Sequence, residues 1–333
     1  MPHRLATRVI LLLCFLCPLP VAAQDSPAVD SVATLYRKAR AAAIEVLVND
    51  HLNGSGVLVD KSGLAITAAH VVGRPGSRVE VLTADVVRRK AEVVAVDLGH
   101  DTAVLKVELG QQVMAAAPLA AQLPVPGEEL YLLGAPVYRH GVMLRGAMAR
   151  EGATFEYCGE HYVAVIQIAA TAQPGTSGGA WFNRRGEVVS LQSSVMSSNG
   201  VPIGIAFGTL ASAARALLET QRTAATPTLG AALEETWQQQ REFLDRFPPR
   251  TEGLVVKVLR GDGPAARAGL KQWDVIVQAD GKPVRQPDEL MRIVVSKKPG
   301  DVVPLTVLGP DGTGVRKTTV QLGKLEVNWP EKK

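Results

Sequence analysis

The sequence predicts an all-β unit of barrel or sandwich type over about residues 44–207, followed by a small mixed α/β unit over about 226–325. Three observations carry this reading. Short alternating apolar runs recur in the first unit, separated by Gly, Pro, Asn and Asp. No regular alternation of strand and helix appears there, which argues against a parallel α/β sheet. The second unit mixes strand-like runs with one well-signalled helix.

Taken in order, Ser31–Ala43 reads as a helix rich in Ala, Arg and Lys. The strand-like runs that follow are Gly56–Val59, Val79–Leu82, Ala91–Val96, Ala103–Val107, Leu130–Leu133, Tyr162–Ile166 and Glu187–Leu191. Leu210–Arg222 reads as a closing helix, and Thr223–Thr228 as a short polar linker containing Pro227. In the second unit, Leu254–Val258 and Asp274–Val277 read as strands. Pro287–Ser296 reads as a helix, because Pro287, Asp288 and Glu289 suit its first turn and Lys297 and Lys298 its end. Asp280-Gly281 and Asp311-Gly312 read as hairpin turns. Glu234–Arg250, with Trp237, Phe243 and Phe247, is longer than a minimal loop and could form an amphipathic helix over a groove or against the first unit.

With 31 glycines and 21 prolines in 333 residues, the chain has the material for many tight turns. Its formal charge is +4. Without Arg4 and Arg8 it falls to about +2, too little to argue for nucleic acid or a membrane surface. No basic run interleaved with aromatics and no phosphate-cradling loop is present. Residues 1–23 read as a cleaved signal peptide: Arg4 and Arg8 at the start, an apolar run Val9–Val21 broken by Pro18 and Pro20, and small residues Ala22-Ala23 before the cut. The alternative is a membrane anchor, for which about 20 apolar residues are needed. Cys14 and Cys17 leave with the leader, so only Cys158 remains and no intrachain disulfide can form. Export without disulfides suits a bacterial periplasm. The histidines are scattered, and neither a metal site nor a cofactor is expected.

The chemistry centres on Gln173-Pro174-Gly175-Thr176-Ser177-Gly178-Gly179-Ala180. Glycines around a serine permit tight turns and leave room for a substrate carbonyl. Backbone N–H groups there, at Gly175, Thr176 and Ser177, are candidate oxyanion donors. The string also fits the nucleophile elbow of α/β-hydrolases, which requires a histidine after the serine. No histidine follows Ser177, the last being His161, so the base must precede it. His70 ends the apolar strand Leu64–Ala69, a rigid platform for a base. Asp101 opens another strand, with Asp97 as its competitor for the acid and His100 beside it. His51, His140 and His161 sit in polar contexts and need no function.

These residues resemble the HtrA/Deg family of trimeric serine proteases. Gly54-Ser55-Gly56-Val57, Thr67-Ala68-Ala69-His70-Val71, Asp97 to Lys106, Pro174 to Gly179 and Gly204-Ile205-Ala206-Phe207 are similar to its motifs. The resemblance implies a chymotrypsin-like two-barrel domain with the triad His70, Asp101 and Ser177, and it selects Asp101 over Asp97. It also implies a specificity pocket near Ala172, Gly204, Ile205 and Ala206, suited to a small or medium aliphatic side chain. The family has Asn where this chain has Gln173 and Thr176, Asp where it has Ala169 and Pro where it has Ala180. None of these removes a triad atom, and all bear on the shape of the loop before Ser177.

Gly263-Pro264-Ala265-Ala266-Arg267-Ala268-Gly269-Leu270, then Trp273-Asp274-Val275-Ile276, resembles the PDZ signature, with Trp273 where a glycine is usual. The resemblance implies a peptide groove between Pro287–Ser296 and a carboxylate loop at Thr228, Leu229, Gly230 and Ala231. The alternative is a PDZ domain that only packs or spaces subunits. The expected boundaries are 1–23 leader, 24–222 protease domain, 223–227 linker, 228–325 PDZ domain and 326–333 tail. The implied activity is ATP-independent cleavage of unfolded proteins in the cell envelope by a homotrimer, with C-terminal peptides as PDZ partners and no nucleic acid. A proteolytically silent PDZ-led chaperone or adaptor, and a membrane-tethered stress sensor, are the other readings.

Overall fold

The computed structural model describes residues 31–73 and 77–326. The expected leader and all but the first residue of the expected tail lie outside these residues. No helix among those described is long and apolar enough to cross a membrane.

Helix α1 (Val32–Ala42) is capped by Ser31, whose hydroxyl accepts from the Thr34 N–H. Six strands follow: β1 (Ala43–Val48), β2 (His51–Leu58), β3 (Leu64–Thr67), β4 (Val79–Leu82), β5 (Arg88–Asp97) and β6 (Thr102–Val107). They close into a barrel in the order β1-β2-β3-β6-β5-β4. Its interior is filled by Val46, Leu58, Ala65, Val81 and Leu105, apolar residues at alternating strand positions.

The second barrel contains β7 (Glu129–Gly134), β8 (Val142–Met148), β9 (Thr154–Cys158), β10 (His161–Ala169), β11 (Ala180–Phe182), β12 (Val188–Ser198) and β13 (Val201–Leu210). The sheet order is β13-β12-β11-β7-β8-β10-β9, and β13 pairs back onto β10. That pairing uses Val165–Ala169, whereas His161–Val165 pair with β9. The β9–β10 hairpin therefore projects from the closed ring. Trp181, with no exposed surface, fills this barrel, and its indole N–H donates to Gln192 Oε1 at 3.0 Å. Helix α2 (Ala211–Thr220) ends the domain. One buried cluster joins both helices to both barrels: Leu35 and Ala39, Ala214 and Leu217, Val57 and Ile66, Leu133 and Phe182.

The linker is not slack. The Ala224 N–H donates to the Val96 carbonyl at 2.9 Å, and the Leu325 N–H to the Thr226 carbonyl at 2.8 Å. Pro227, expected in the linker, already belongs to the next domain, since β14 (Pro227–Thr228) pairs with β21 (Gly323–Lys324). Between these come β15 (Ala231–Glu235), α3 (Arg241–Leu244), β16 (Leu254–Leu259), α4 (Pro264–Arg267), β17 (Val275–Ala279), β18 (Lys282–Pro283), α5 (Pro287–Val295), β19 (Val302–Leu308) and β20 (Val315–Gln321). The order β15-β16-β17-β19-β20 leaves β15 at an edge. Leu254, Val256 and Ile276 face α5 residues Leu290, Met291 and Val294 in the core. Both expected Asp-Gly turns form, with Gly281 and Gly312 at φ of 74°.

The 234–250 segment forms the end of β15, a short turn and α3. It packs Phe243 and Phe247 on Val255, Val275 and Leu308, on the sheet face away from α5, so it does not cover the groove. It also accounts for Trp273. That residue holds φ 73°, a conformation natural for glycine. Its ring sits 5.7 Å from that of Phe243, and Lys257 Nζ lies 4.2 Å from its centroid. The long segment and the tryptophan are one packing unit.

Trp181→Ala is expected to destabilise the second barrel by about 3–5 kcal/mol, the range for deleting a large buried aromatic. Urea unfolding followed by circular dichroism would measure it.

Candidate active site

His70 lies in the single helical turn Ala69–Val71 that follows β3. Asp101, at φ 44°, lies just before β6 and caps that turn. Its carbonyl accepts from the Ala69 N–H at 3.0 Å, and its Oδ1 accepts from the His70 N–H at 3.0 Å. The same carboxylate meets the imidazole: Nδ1 is 2.9 Å from Oδ2 and 3.1 Å from Oδ1. Main chain and side chain of one aspartate thus orient the His70 ring.

Asp97 does not compete. Its carboxylate accepts from the Gly99 N–H at 3.0 Å and from His100, whose Nδ1 is 2.8 Å away.

Burial opposes charge on Asp101, but the adjacent His70 and the donors His70 and Ser193 outweigh it and hold the carboxyl below its ordinary value. Ser193 was not legible as a site residue. Its hydroxyl donates to Asp101 Oδ2 at 2.5 Å. It sits where the register of β12 slips between Gln192 and Ser194, and the extra residue re-aims the side chain. A Gln-Ser-Ser run inside an apolar strand was the only available signal.

The loop of Ser177 is held by β2. Ser55 is buried and makes four bonds. Its N–H donates to the Ser177 carbonyl at 2.7 Å and its hydroxyl to the Gly175 carbonyl at 2.8 Å. The hydroxyl accepts from the Ala135 N–H at 3.0 Å, and the Ser55 carbonyl from Thr67 Oγ1 at 2.6 Å. Gly54 and Gly178 allow this approach. A Cβ on Gly54 would lie 2.5 Å from the Ser177 carbonyl and 2.6 Å from the Val71 side chain. One on Gly178, at φ 78°, would lie 2.8 Å from the Ala68 nitrogen. The serine loop and the histidine turn therefore meet on the same two glycines.

Two peptide units in this loop have their carbonyls fixed. Pro174 O accepts from the Val137 N–H at 3.0 Å, and Thr176 O from the Gly179 N–H at 2.8 Å. In a trans peptide the N–H points opposite to the carbonyl. The Gly175 and Ser177 N–H groups consequently point away from those partners, and neither finds an acceptor among the described residues. Thr176 differs from expectation. Its N–H is committed to the Gln173 carbonyl at 3.1 Å, and its hydroxyl to the same oxygen at 2.7 Å. Thr176 shapes the loop and is not an oxyanion donor.

The expected pocket residues divide between two clusters, with Ile205 packed on Val163, Val165 and Phe207 and not with Ala172 and Ala206. Ala169 pairs with Ile205, and the Gly204 carbonyl accepts from the Ala170 N–H at 3.0 Å. Ala172 and Ala206 are buried in a cluster with Met148, Ile168 and Trp181.

In the second domain, Gly230 takes φ 72°, and its N–H is held by Thr228 Oγ1 at 3.2 Å. Leu229 and Ala231 are buried. His161, expected in a loop, opens β10, and its Nε2 lies 3.2 Å from the Leu98 carbonyl.

Residues 54–191 match the trypsin-like peptidase domain family, and residues 227–319 the PDZ domain family. The chain is 30% identical over 279 residues to a protein of Halomonas elongata named "Probable periplasmic serine endoprotease DegP-like", covering 84% of this chain and 57% of that one. It is 31% identical over 268 residues to a protein of the same name from Pseudomonas fulva, covering 80% of this chain and 54% of that one. The chain thus spans little more than half the length of these curated relatives. Among solved structures, the HtrA-type protease AlgW with tripeptide superimposes with a TM-score of 0.66 at 24% identity, over 90% of this chain and 99% of that one. The serine endoprotease from Yersinia pestis gives a TM-score of 0.60 at 24% identity, over 89% and 99%. At that identity the likeness speaks for the fold.

Two closed barrels with this loop geometry, followed by a PDZ domain, define a trypsin-like peptidase carrying one PDZ domain. The chain belongs to the HtrA family of serine proteases.

Ser193→Ala is expected to cost about 1.5–3 kcal/mol at pH 7, the range for a hydrogen bond to a charged group. Asp101 is depressed, so its contribution is present above the unfolded value of about 3.9 and is lost as pH falls through the lower folded value. Urea titrations of parent and variant should differ at pH 7 and converge in strong acid.

Proposed function

We propose that the chain is an ATP-independent serine endopeptidase that cuts unfolded proteins in the cell envelope. Ser177 is the nucleophile, His70 the base and Asp101 its orienting acid. The observation that carries this reading is the His70–Asp101 pair, anchored through both main chain and side chain and meeting the Ser177 loop across Gly54.

Ser177 Oγ attacks the scissile carbonyl and passes its proton to His70 Nε2. Asp101 accepts from Nδ1 and stabilises the imidazolium. The oxyanion receives the N–H groups of Gly175 and Ser177, each worth about 3–4 kcal/mol of barrier in comparable sites. His70 returns the proton to the leaving amine, and water then frees the acyl group from Ser177 by the same route. Both N–H groups have no acceptor at rest among the described residues, which supports a competent resting loop. Ala172 and Ala206, buried beside Met148 and Ile168, support a small or medium aliphatic residue before the cut. The PDZ domain takes C-terminal peptides for recruitment or activation. The names of the relatives support a periplasmic location after leader removal, and family resemblance supports a homotrimer.

Incubation with a fluorescent fluorophosphonate should label the purified chain on Ser177 and leave Ser177→Ala and His70→Ala unlabelled. Casein digestion with mass mapping should give cuts after small aliphatic residues. Folded protein that neither labels nor cleaves at any temperature would leave the adaptor reading instead.

A further inference from the structure

The protease domain places its own hairpin in the PDZ groove. β15 is an edge strand, and at Leu233 its N–H and C=O face outward. An incoming peptide strand would pair with these groups. Both are already taken by one atom. Tyr162 Oη, from β10 of the second barrel, accepts from the Leu233 N–H at 3.0 Å and donates to the Leu233 carbonyl at 3.4 Å. A phenol suits this because it is donor and acceptor at once. Burial pushes its pKa up, which keeps it neutral.

The same hairpin grips the opposite groove wall. The Phe155 N–H donates to Asp288 Oδ1 at 2.9 Å, and Arg292 of α5 donates to the Ala153 carbonyl at 2.9 Å. Arg150 lies 3.6 Å from Asp288. The rings of Phe155 and Tyr162 pack on the PDZ core. What remains between Tyr162, the 229–231 loop and Met291 is a cavity of about 20 Å³. That holds a water and no side chain.

The geometry points to Tyr162 as a tethered stand-in for a peptide, closing the PDZ groove until a free chain end displaces the β9–β10 hairpin. This rests on the reading of the PDZ domain as a C-terminal-peptide binder. Leu229, Met291 and Val294 line the site, so the displacing end is apolar with a free carboxylate.

The test uses the full chain carrying Ser177→Ala, so that no probe is cut. A fluorescein-labelled decapeptide ending in Ala-Val-Val, with a free or an amidated terminus, is titrated by anisotropy. Tyr162→Ala should bind the free-carboxylate form with an apparent Kd about tenfold lower, as for a groove otherwise open about a tenth of the time. Tyr162→Phe keeps the ring and loses both bonds. Deuterium exchange over 231–235 without peptide should be faster in Tyr162→Phe than in the parent. Equal exchange in the two, or unchanged peptide affinity in Tyr162→Ala, overturns the plug. Faster exchange with no binding of the free-carboxylate peptide by any variant overturns the peptide-binding reading and the gating built on it, and leaves a docking contact.

Discussion

Ser55 is the point on which the candidate site depends. It belongs to the first barrel, yet three of its four bonds reach residues of the second, Ser177, Gly175 and Ala135. A buried hydroxyl left unpaired would cost about 1–3 kcal/mol, so each partner constrains the others. The fourth bond, from Thr67 Oγ1, returns the constraint to the strand that leads into His70. The relative placement of Ser177 and His70 is thereby set by backbone and one short side chain, with no long flexible residue between them. Gly54 and Gly178 allow the approach, because a Cβ on the first would overlap the Ser177 carbonyl and one on the second the Ser55 carbonyl.

The electrostatics follow from that placement. Asp101 is buried and would resist ionisation alone, but it accepts from the His70 ring, the His70 N–H and Ser193. Such a carboxylate holds an imidazole in one tautomer without drawing its proton across. Asp97, four positions earlier, solves the same burial problem locally through Gly99 and His100. Two acids of one loop therefore have separate partners, Asp101 the His70 ring and Asp97 the turn that presents Asp101.

Much of this was readable from residue order. A serine among glycines with every histidine before it left few arrangements; His70 and Asp101 stood at strand ends, but only the family resemblance chose Asp101 over Asp97. The PDZ signature and its two Asp-Gly turns were local and therefore legible. What was not legible depends on register and on contacts distant in sequence. Ser193 acts because β12 slips by one residue, which no periodicity reveals. Thr176 looked like a third donor until its N–H was seen on Gln173. Trp273 looked anomalous because its partner Phe243 lies thirty positions away, in a segment whose place, over the groove or against the first unit, was left open. Tyr162 read simply as part of an apolar strand, since its role arises from how two domains meet.

That meeting is set by the joint. Ala224 and Thr226 are bonded to the first barrel and to the end of the second domain, and Gly99 packs against Thr226. A joint without slack gives the hairpin a high effective concentration at the groove, on the order of millimolar even for a short flexible tether. A visiting chain end competes with a rival that never diffuses away. The midpoint of occupancy moves to a higher concentration of exposed ends, so the domain stays largely empty at the background level of free termini.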